Sequence, residues 1–424
     1  MSHRLHFRFA PIIFAGLLAV GTLSPRGAQA EAQLLVDADT GKVLHAENAT
    51  YPWYPASVTK LMTLYTTLRA VKEGKISFDS MITVSRNAVA QQPVKMGFAA
   101  GTQLTLDNAL KMMMVKSAND MAVTIAEGVG GSIDGFSDMM NANARRLGMT
   151  QTNYVNPNGL PADGQITSAR DLAILARALI REFPEHSFYW HIPAIKYGSR
   201  VTRNYNPLLT RYPGADGMKT GFICVSGYNL VATATRNGKH LIAVVLGAWS
   251  GGARAQKAAQ LLERGFAASN LSWLTPSLGT VDGLVPVEAS PPNLREEMCG
   301  GHRRKPSEEN DEEEDTPATT ASSGTPSEGS DSSAQTFALS NLKAGTGKFV
   351  LGPPVDDNIE PIVVFTGSPK NPDKAPVAVA AKKKTKKTKT ADADEKPKAE
   401  KPAAKPAKKT KTAEGAKPKK PAAQ

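Results

Sequence analysis

Cysteine is almost absent: the 424-residue chain has two, Cys224 and Cys299. No C-x-x-C or H-E-x-x-H spacing occurs, and the seven histidines are scattered. That weighs against a metal centre, and no cofactor is expected. There is no G-x-S-x-G elbow, which argues against an α/β-hydrolase. No apolar run reaches the ~20 residues that span a bilayer. Basic charge is also missing from most of the chain. The formal charge is +12, but residues 371–424 hold 17 Lys and 6 acids, a net +11. The high isoelectric point therefore describes a tail, not a nucleic-acid-binding surface, and no nucleic-acid partner is expected.

The first thirty residues have the layout of an export signal. His3, Arg4, His6 and Arg8 make a positive start, Phe9 to Val20 an apolar stretch, and Ala28-Gln29-Ala30 a cleavage site. The mature chain is then expected to begin at Glu31 and to work in the periplasm or cell envelope. In that compartment two cysteines permit one disulfide. Their separation does not say whether they pair.

A core can form from residue 31 to about 275. Gln33–Ala38 and Lys42–Ala46 read as a hairpin around Asp39-Thr40-Gly41. Helical periodicity follows in the Ser57 stretch, in a Met-rich segment through Leu110, Met113 and Met114, after Met121, and over Phe136–Leu147. Ser117-Ala118-Asn119-Asp120 interrupts it. Asn156-Pro157-Asn158-Gly159 reads as a loop, and Ser168 opens another helix. Short strands follow at Ala194–Tyr197, Gly217–Cys224, Tyr228–Thr235 and Leu241–Gly247, then a helix over Ala253–Phe266. This order suits an α/β (α+β) domain: an antiparallel sheet flanked by helices, with an inserted helical lobe. Residues 276–370 read as a mostly disordered linker. Glu308–Asp315 has seven acids in eight residues, and Ser, Thr, Gly and Pro follow. Phe349–Leu351 and Ile362–Phe365 are candidate strands too short for a core of their own. Residues 371–424 read as a disordered Lys/Pro/Ala tail.

The chemistry centres on Ser57-Val58-Thr59-Lys60. One helical turn apart, Ser57 and Lys60 face the same way. A serine hydroxyl needs a neighbouring base to attack, and a neutral Lys can serve if burial and nearby cations lower its pKa. One S-x-x-K alone is weak, and a capped, solvated helix start is the simpler reading of it. Two further elements change that. Ser117-Ala118-Asn119 is S-x-N at a helix break, and Lys219-Thr220-Gly221 is K-T-G in a strand. The three in this order form the set found in penicillin-binding proteins and class A β-lactamases.

The chain thus resembles the serine D-alanyl-D-alanine carboxypeptidases, the low-molecular-mass penicillin-binding proteins. The resemblance runs from about Glu31 to Phe266 and includes Gly217-Met218-Lys219-Thr220-Gly221 and Ser226-Gly227-Tyr228-Asn229-Leu230. It implies the penicillin-binding transpeptidase fold and removal of the terminal D-Ala from peptidoglycan stem peptides. β-Lactam antibiotics would be covalent inhibitors. Ser57 would be the nucleophile, Lys60 the base and Ser117 the proton relay. Asn119 would hold the substrate amide, while Lys219 and Thr220 would meet its carboxylate. The Ser57 and Phe222 amides, the latter just past Gly221, would form the oxyanion hole. Arg254 matches the family's carboxylate-binding arginine, and a solvated charge at a helix end is an equal reading of it.

There are departures from the family. The middle motif is Ser-Ala-Asn, not Ser-Asp-Asn, and no E-x-x-x-N stretch lies between Asn119 and Lys219, which weighs against an efficient β-lactamase. D,D-endopeptidase action and a catalytically silent wall-binding module remain alternatives. The Lys-rich tail stands where the family often has a β-rich domain and an amphipathic helix. It is expected to tether the protein to anionic lipid or another anionic envelope polymer.

Overall fold

The structure is a computed structural model of the chain, described over residues 31–267, 277–301, 351–353 and 359–373, with backbone only for 371–373. The chain divides into Met1–Val377 and Ala378–Gln424, and every described residue lies in the first unit. The export-signal stretch, the acidic run Glu308–Asp315 and nearly all of the basic tail fall outside the described residues.

The chain opens with β1 (Ala32–Asp37), β2 (Val43–Glu47) and α1 (Lys60–Lys72). The lobe follows as β3 (Met81–Thr83), α2 (Arg86–Ala90), β4 (Gln103–Thr105), α3 (Leu106–Lys116), α4 (Asn119–Gly130) and α5 (Ile133–Leu147). Then come α6 (Ala169–Glu182), α7 (Phe188–His191), β5 (Ala194–Tyr197), β6 (Arg200–Arg203) and α8 (Leu208–Arg211). The domain continues with β7 (Ala215–Ile223), β8 (Gly227–Arg236), β9 (Lys239–Ala248) and α9 (Gly251–Ala267). Later come α10 (Arg295–Cys299), β10 (Ile362–Val363), β11 (Thr366–Ser368) and β12 (Asn371–Asp373).

The main sheet runs β2-β1-β9-β8-β7, antiparallel throughout. Side chains alternate faces along a strand, and here both faces are covered. Leu34, Val36, Val231, Ile242, Val244 and Leu246 point toward the core built by α1, α6 and the lobe. Leu35, Leu230, Ala232, Ala243 and Val245 point the other way, onto Ala255, Ala258, Leu261 and Leu262 of α9. Buried on both sides, β8 and β9 read in sequence as nearly continuous apolar runs. In the lobe, Met112, Met113 and Met114 are all fully buried, which fits their flexible side chains as filler.

The chain beyond 275 departs from the linker expectation. Residues 277–301 form a strap along the domain. Val43 N–H donates to Gly279 O and Val281 N–H to Gly41 O, both at 2.9 Å, and Val281 is buried. Farther on, Leu294 N–H donates to Val225 O at 3.1 Å and Met298 is buried. Cys299 is disulfide-bonded to Cys224 with a Cα–Cα distance of 5.7 Å, so the pairing left open by the sequence is made. Residues 359–373 return to the domain as well. β10 lies parallel to β5, and β11 lies parallel to β4 with β12 antiparallel to it. Val364 N–H donates to Lys196 O at 2.9 Å, and its side chain joins the core. Both segments are too short to bury a core alone. They order by giving their backbone bonds to existing edges and a few apolar side chains to an existing interior.

Candidate active site

Ser57 lies in a tight 3₁₀ turn, Ala56–Thr59, which runs directly into α1 at Lys60. Residues three apart eclipse in such a turn, so Ser57 and Lys60 align closely. The turn is held from two sides. Asn229 of β8 donates through Nδ2 to Tyr54 O (3.0 Å) and Pro55 O (3.1 Å), while its Oδ1 accepts from Gly247 N–H at 3.0 Å. On the other side, Gly159 has φ +81° and packs against Ala56; an added Cβ there would lie 1.8 Å from Ala56 O. A side chain is thus excluded by both backbone conformation and space.

Lys60 is buried, and its Nζ donates to Ser57 Oγ at 2.9 Å, Asn119 Oδ1 at 2.8 Å and Asn158 O at 2.8 Å. Three acceptors match the three protons of an ammonium. The neutral amine would keep two of those donors and turn its lone pair toward Ser57 Oγ, which is the geometry a base needs.

Ser117 ends α3 with φ 58°, and α4 begins at Asn119. Ser117 Oγ is buried without a hydrogen-bond partner among the described residues. Asn119 is held firmly: its N–H donates to Val94 O at 2.7 Å and its Nδ2 to Gln92 O at 3.0 Å. Asp120 Oδ1 and Oδ2 accept from Met96 N–H (3.0 Å) and Gly97 N–H (2.8 Å). The S-x-N break is therefore stitched to residues 92–97. Asn158 Nδ2 donates to Gln91 Oε1 at 2.8 Å, joining that same stretch to the Asn158 loop.

The K-T-G strand, β7, closes the site. A Cβ on Gly221 would lie 2.7 Å from Ser57 N and 2.9 Å from Val58 N, so only glycine lets the strand backbone come this close to the turn. That approach brings β7 at Gly221, the residue before Phe222, against the Ser57 and Val58 nitrogens. Lys219 is buried and its Nζ donates to Thr220 O at 3.0 Å; Thr220 Oγ1 is buried without a hydrogen-bond partner among the described residues. Arg254 of α9 is 1% exposed, which corrects its reading as a solvated helix-end charge. Its Nη1 donates to Gly221 O at 3.3 Å and its Nη2 to Tyr205 O at 3.5 Å. Helix α9 starts just past the sheet, so this side chain turns inward onto β7.

The structure thus joins Ser57, Lys60 and Asn119 by direct bonds, sets Gly221 against the Ser57 turn, and places Arg254 on Gly221. Asn158 and Asn229 stand in stretches that carry the resemblance, but the sequence assigns them no role, and Gln92 has no sequence signal. The bond from Lys60 to Asn158 uses a carbonyl that any residue supplies. Among the described residues, no three His, Cys, Asp or Glu side chains cluster as metal ligands.

A serine bonded to a buried lysine, a polar helix break and a K-T-G strand on a sheet between helices define a site of the penicillin-binding type. Residues 20–250 match the model for the D-alanyl-D-alanine carboxypeptidase family of serine peptidases, peptidase S11, and the chain belongs to that family. It is 38% identical over 267 residues to the D-alanyl-D-alanine carboxypeptidase DacC of Escherichia coli, which covers 61% of this chain and 66% of the relative. It is 36% identical over 244 residues to DacA of the same organism, covering 56% and 60%. The chain therefore spans slightly under two thirds of these relatives. Among solved structures, penicillin binding protein 5 from Haemophilus influenzae superposes with a TM-score of 0.54 at 35% identity, covering 56% of this chain and 70% of that one. The carboxypeptidase DacD from Francisella tularensis gives 0.55 at 31%, with the same coverage.

Proposed function

We propose that this chain is a serine-type D-Ala-D-Ala carboxypeptidase that trims peptidoglycan stem peptides through an acyl-enzyme on Ser57. The observation that carries this is Lys60 Nζ, 2.9 Å from Ser57 Oγ and 2.8 Å from Asn119 Oδ1. Ser57 Oγ attacks the carbonyl of the penultimate D-Ala as Lys60 takes its proton. The oxyanion is held by the amides of Ser57 and Phe222. Ser117, two residues before Asn119, relays the proton that Lys60 took to the leaving nitrogen, and the terminal D-Ala departs as an amine. Asn119 holds the substrate amide. Lys219, Thr220 and Arg254 take the terminal carboxylate. Water then attacks the ester carbonyl, its hydroxyl leaves on the released acid, and its proton passes to Ser57 Oγ.

A β-lactam carries the same carboxylate and an acyl carbon in the same place, so it would acylate Ser57 and remain. Incubating the protein with a peptide ending in D-Ala-D-Ala and following release of one D-Ala by mass tests the reading. Turnover without Ser57, or none with it, would overturn it.

The leader-like first thirty residues and the Cys224–Cys299 disulfide support work outside the cytoplasm. The net +11 of residues 371–424 supports an electrostatic tether to an anionic envelope surface. Binding to anionic vesicles that survives high salt, or that is missing at low salt, would contradict the tether.

A further inference from the structure

Tyr228 is the second residue of β8 and is buried, with no step assigned to it above. Its cross-strand partner is Phe222, the residue just past Gly221. The two rings lie 4.3 Å apart at 32°. The Arg254 guanidinium also lies over Tyr228, with Cζ 5.3 Å from the ring centroid. The ring therefore touches both a proposed oxyanion residue and a proposed carboxylate ligand.

A guanidinium is planar and weakly hydrated, so an aromatic face suits it better than it suits an ammonium. The Arg254 bonds to Gly221 O and Tyr205 O, at 3.3 and 3.5 Å, are at the long end for N–H donors. Both run to backbone carbonyls and fix where the guanidinium sits. The Tyr228 ring against its face sets its plane, and with it the direction in which its N–H groups point. The fold gives Tyr228 this reach. Beside it the register between β8 and β9 shifts between Tyr228 and Leu230, where Asn229 turns its side chain toward the Ser57 turn. The two residues thus serve adjoining parts of one site.

We propose that Tyr228 is a positioning residue for recognition of the substrate's terminal carboxylate, acting by setting the plane of Arg254 and the seat of Phe222. This rests on the reading of Arg254 as a carboxylate ligand. The test compares the full protein with Tyr228→Leu, Tyr228→Phe, Arg254→Ala and the double variant Tyr228→Leu/Arg254→Ala. Each is assayed on a D-Ala-D-Ala peptide with a free carboxylate and on the same peptide with an amidated end.

Tyr228→Leu is expected to raise KM for the free-acid peptide by about 10- to 30-fold with a smaller change in kcat, the range of a desolvated cation–π contact. Its preference for acid over amide should fall by a similar factor. Tyr228→Phe keeps the ring and should hold the preference for acid over amide to within about twofold of the parent. The double variant should prefer acid no less than Arg254→Ala does, because both changes act through one group. If Arg254→Ala loses the preference and Tyr228→Leu keeps it, Tyr228 is not the positioner and the Arg254 reading stands. Losses that multiply in the double variant would likewise overturn the proposal. If Arg254→Ala keeps the preference, the Arg254 reading fails and this proposal with it. Should Tyr228→Leu not fold, Tyr228→Met fills similar space without a ring and is read by the same criteria.

Discussion

Gly221→Ala tests how closely β7 must approach the serine turn. The added Cβ would lie 2.7 Å from Ser57 N and 2.9 Å from Val58 N. Both are backbone atoms of a turn held by Asn229, so neither can swing aside as a side-chain tip would. Restoring an ordinary contact of 3.4 Å requires β7 and the turn to part by about 0.7 Å (3.4 − 2.7). The proposed oxyanion hole uses one amide from each side of that contact. Donors serve an oxyanion at about 2.7–3.1 Å, so such a shift takes one of them out of reach. Losing one donor costs about 2.7–4 kcal/mol, or roughly 10²–10³ in rate. The assay is the second-order rate of acylation by a fluorescent penicillin, together with kcat on a D-Ala-D-Ala peptide. The melting midpoint is followed in parallel to separate chemistry from unfolding. Gly301→Ala, whose Cβ would meet nothing within 4 Å, is the control and should match the parent. A folded Gly221→Ala protein that acylates within about threefold of the parent rate would refute the reasoning.

Lys60→Arg should lower acylation by at least about 10²-fold, since a guanidinium cannot act as the base; the same penicillin assay reads it. Breaking the Cys224–Cys299 bridge with Cys299→Ser frees a 75-residue loop, which in the chain-entropy model removes up to about 4.5 kcal/mol; urea titration should show an earlier midpoint. His240 lies 3.6 Å from Asp216. Burial opposes its protonation, but Asp216, helped by Asp39 and Asp37, outweighs burial and raises its pKa. The stability this contributes is full below the unfolded value of about 6.5 and fades as pH rises through the higher folded value. His240→Gln should therefore melt earlier than the parent near pH 6, with the gap closing at alkaline pH. A gap that grows with pH would contradict the assignment.

Much of this was legible in the sequence because the three motifs are local. Ser57 and Lys60 meet through one turn, Ser117 and Asn119 through one helix break, and Lys219 to Gly221 lie along one strand. The nearly continuous apolar runs of β8 and β9 likewise report burial on two faces. What the sequence hid depends on long-range contact. Asn229 holds the serine turn from 174 and 175 residues away, through side-chain bonds to two carbonyls. Arg254 carries no local sign of burial, because a charge at a helix start is most often solvated. The strap reads in sequence as linker, and Ile362–Phe365 as a strand too short for a core of its own, because composition reports whether a segment can fold alone. It does not report whether a neighbouring edge will take it.

The central claim is that Ser57, activated by Lys60, forms the acyl-enzyme. Mass spectrometry of the intact protein after a brief incubation with benzylpenicillin tests this most directly. The account predicts one penicilloyl adduct, mapped to the peptide containing Ser57, and none on the Ser57→Ala protein. An adduct on any other residue, or one that persists in Ser57→Ala, would contradict it.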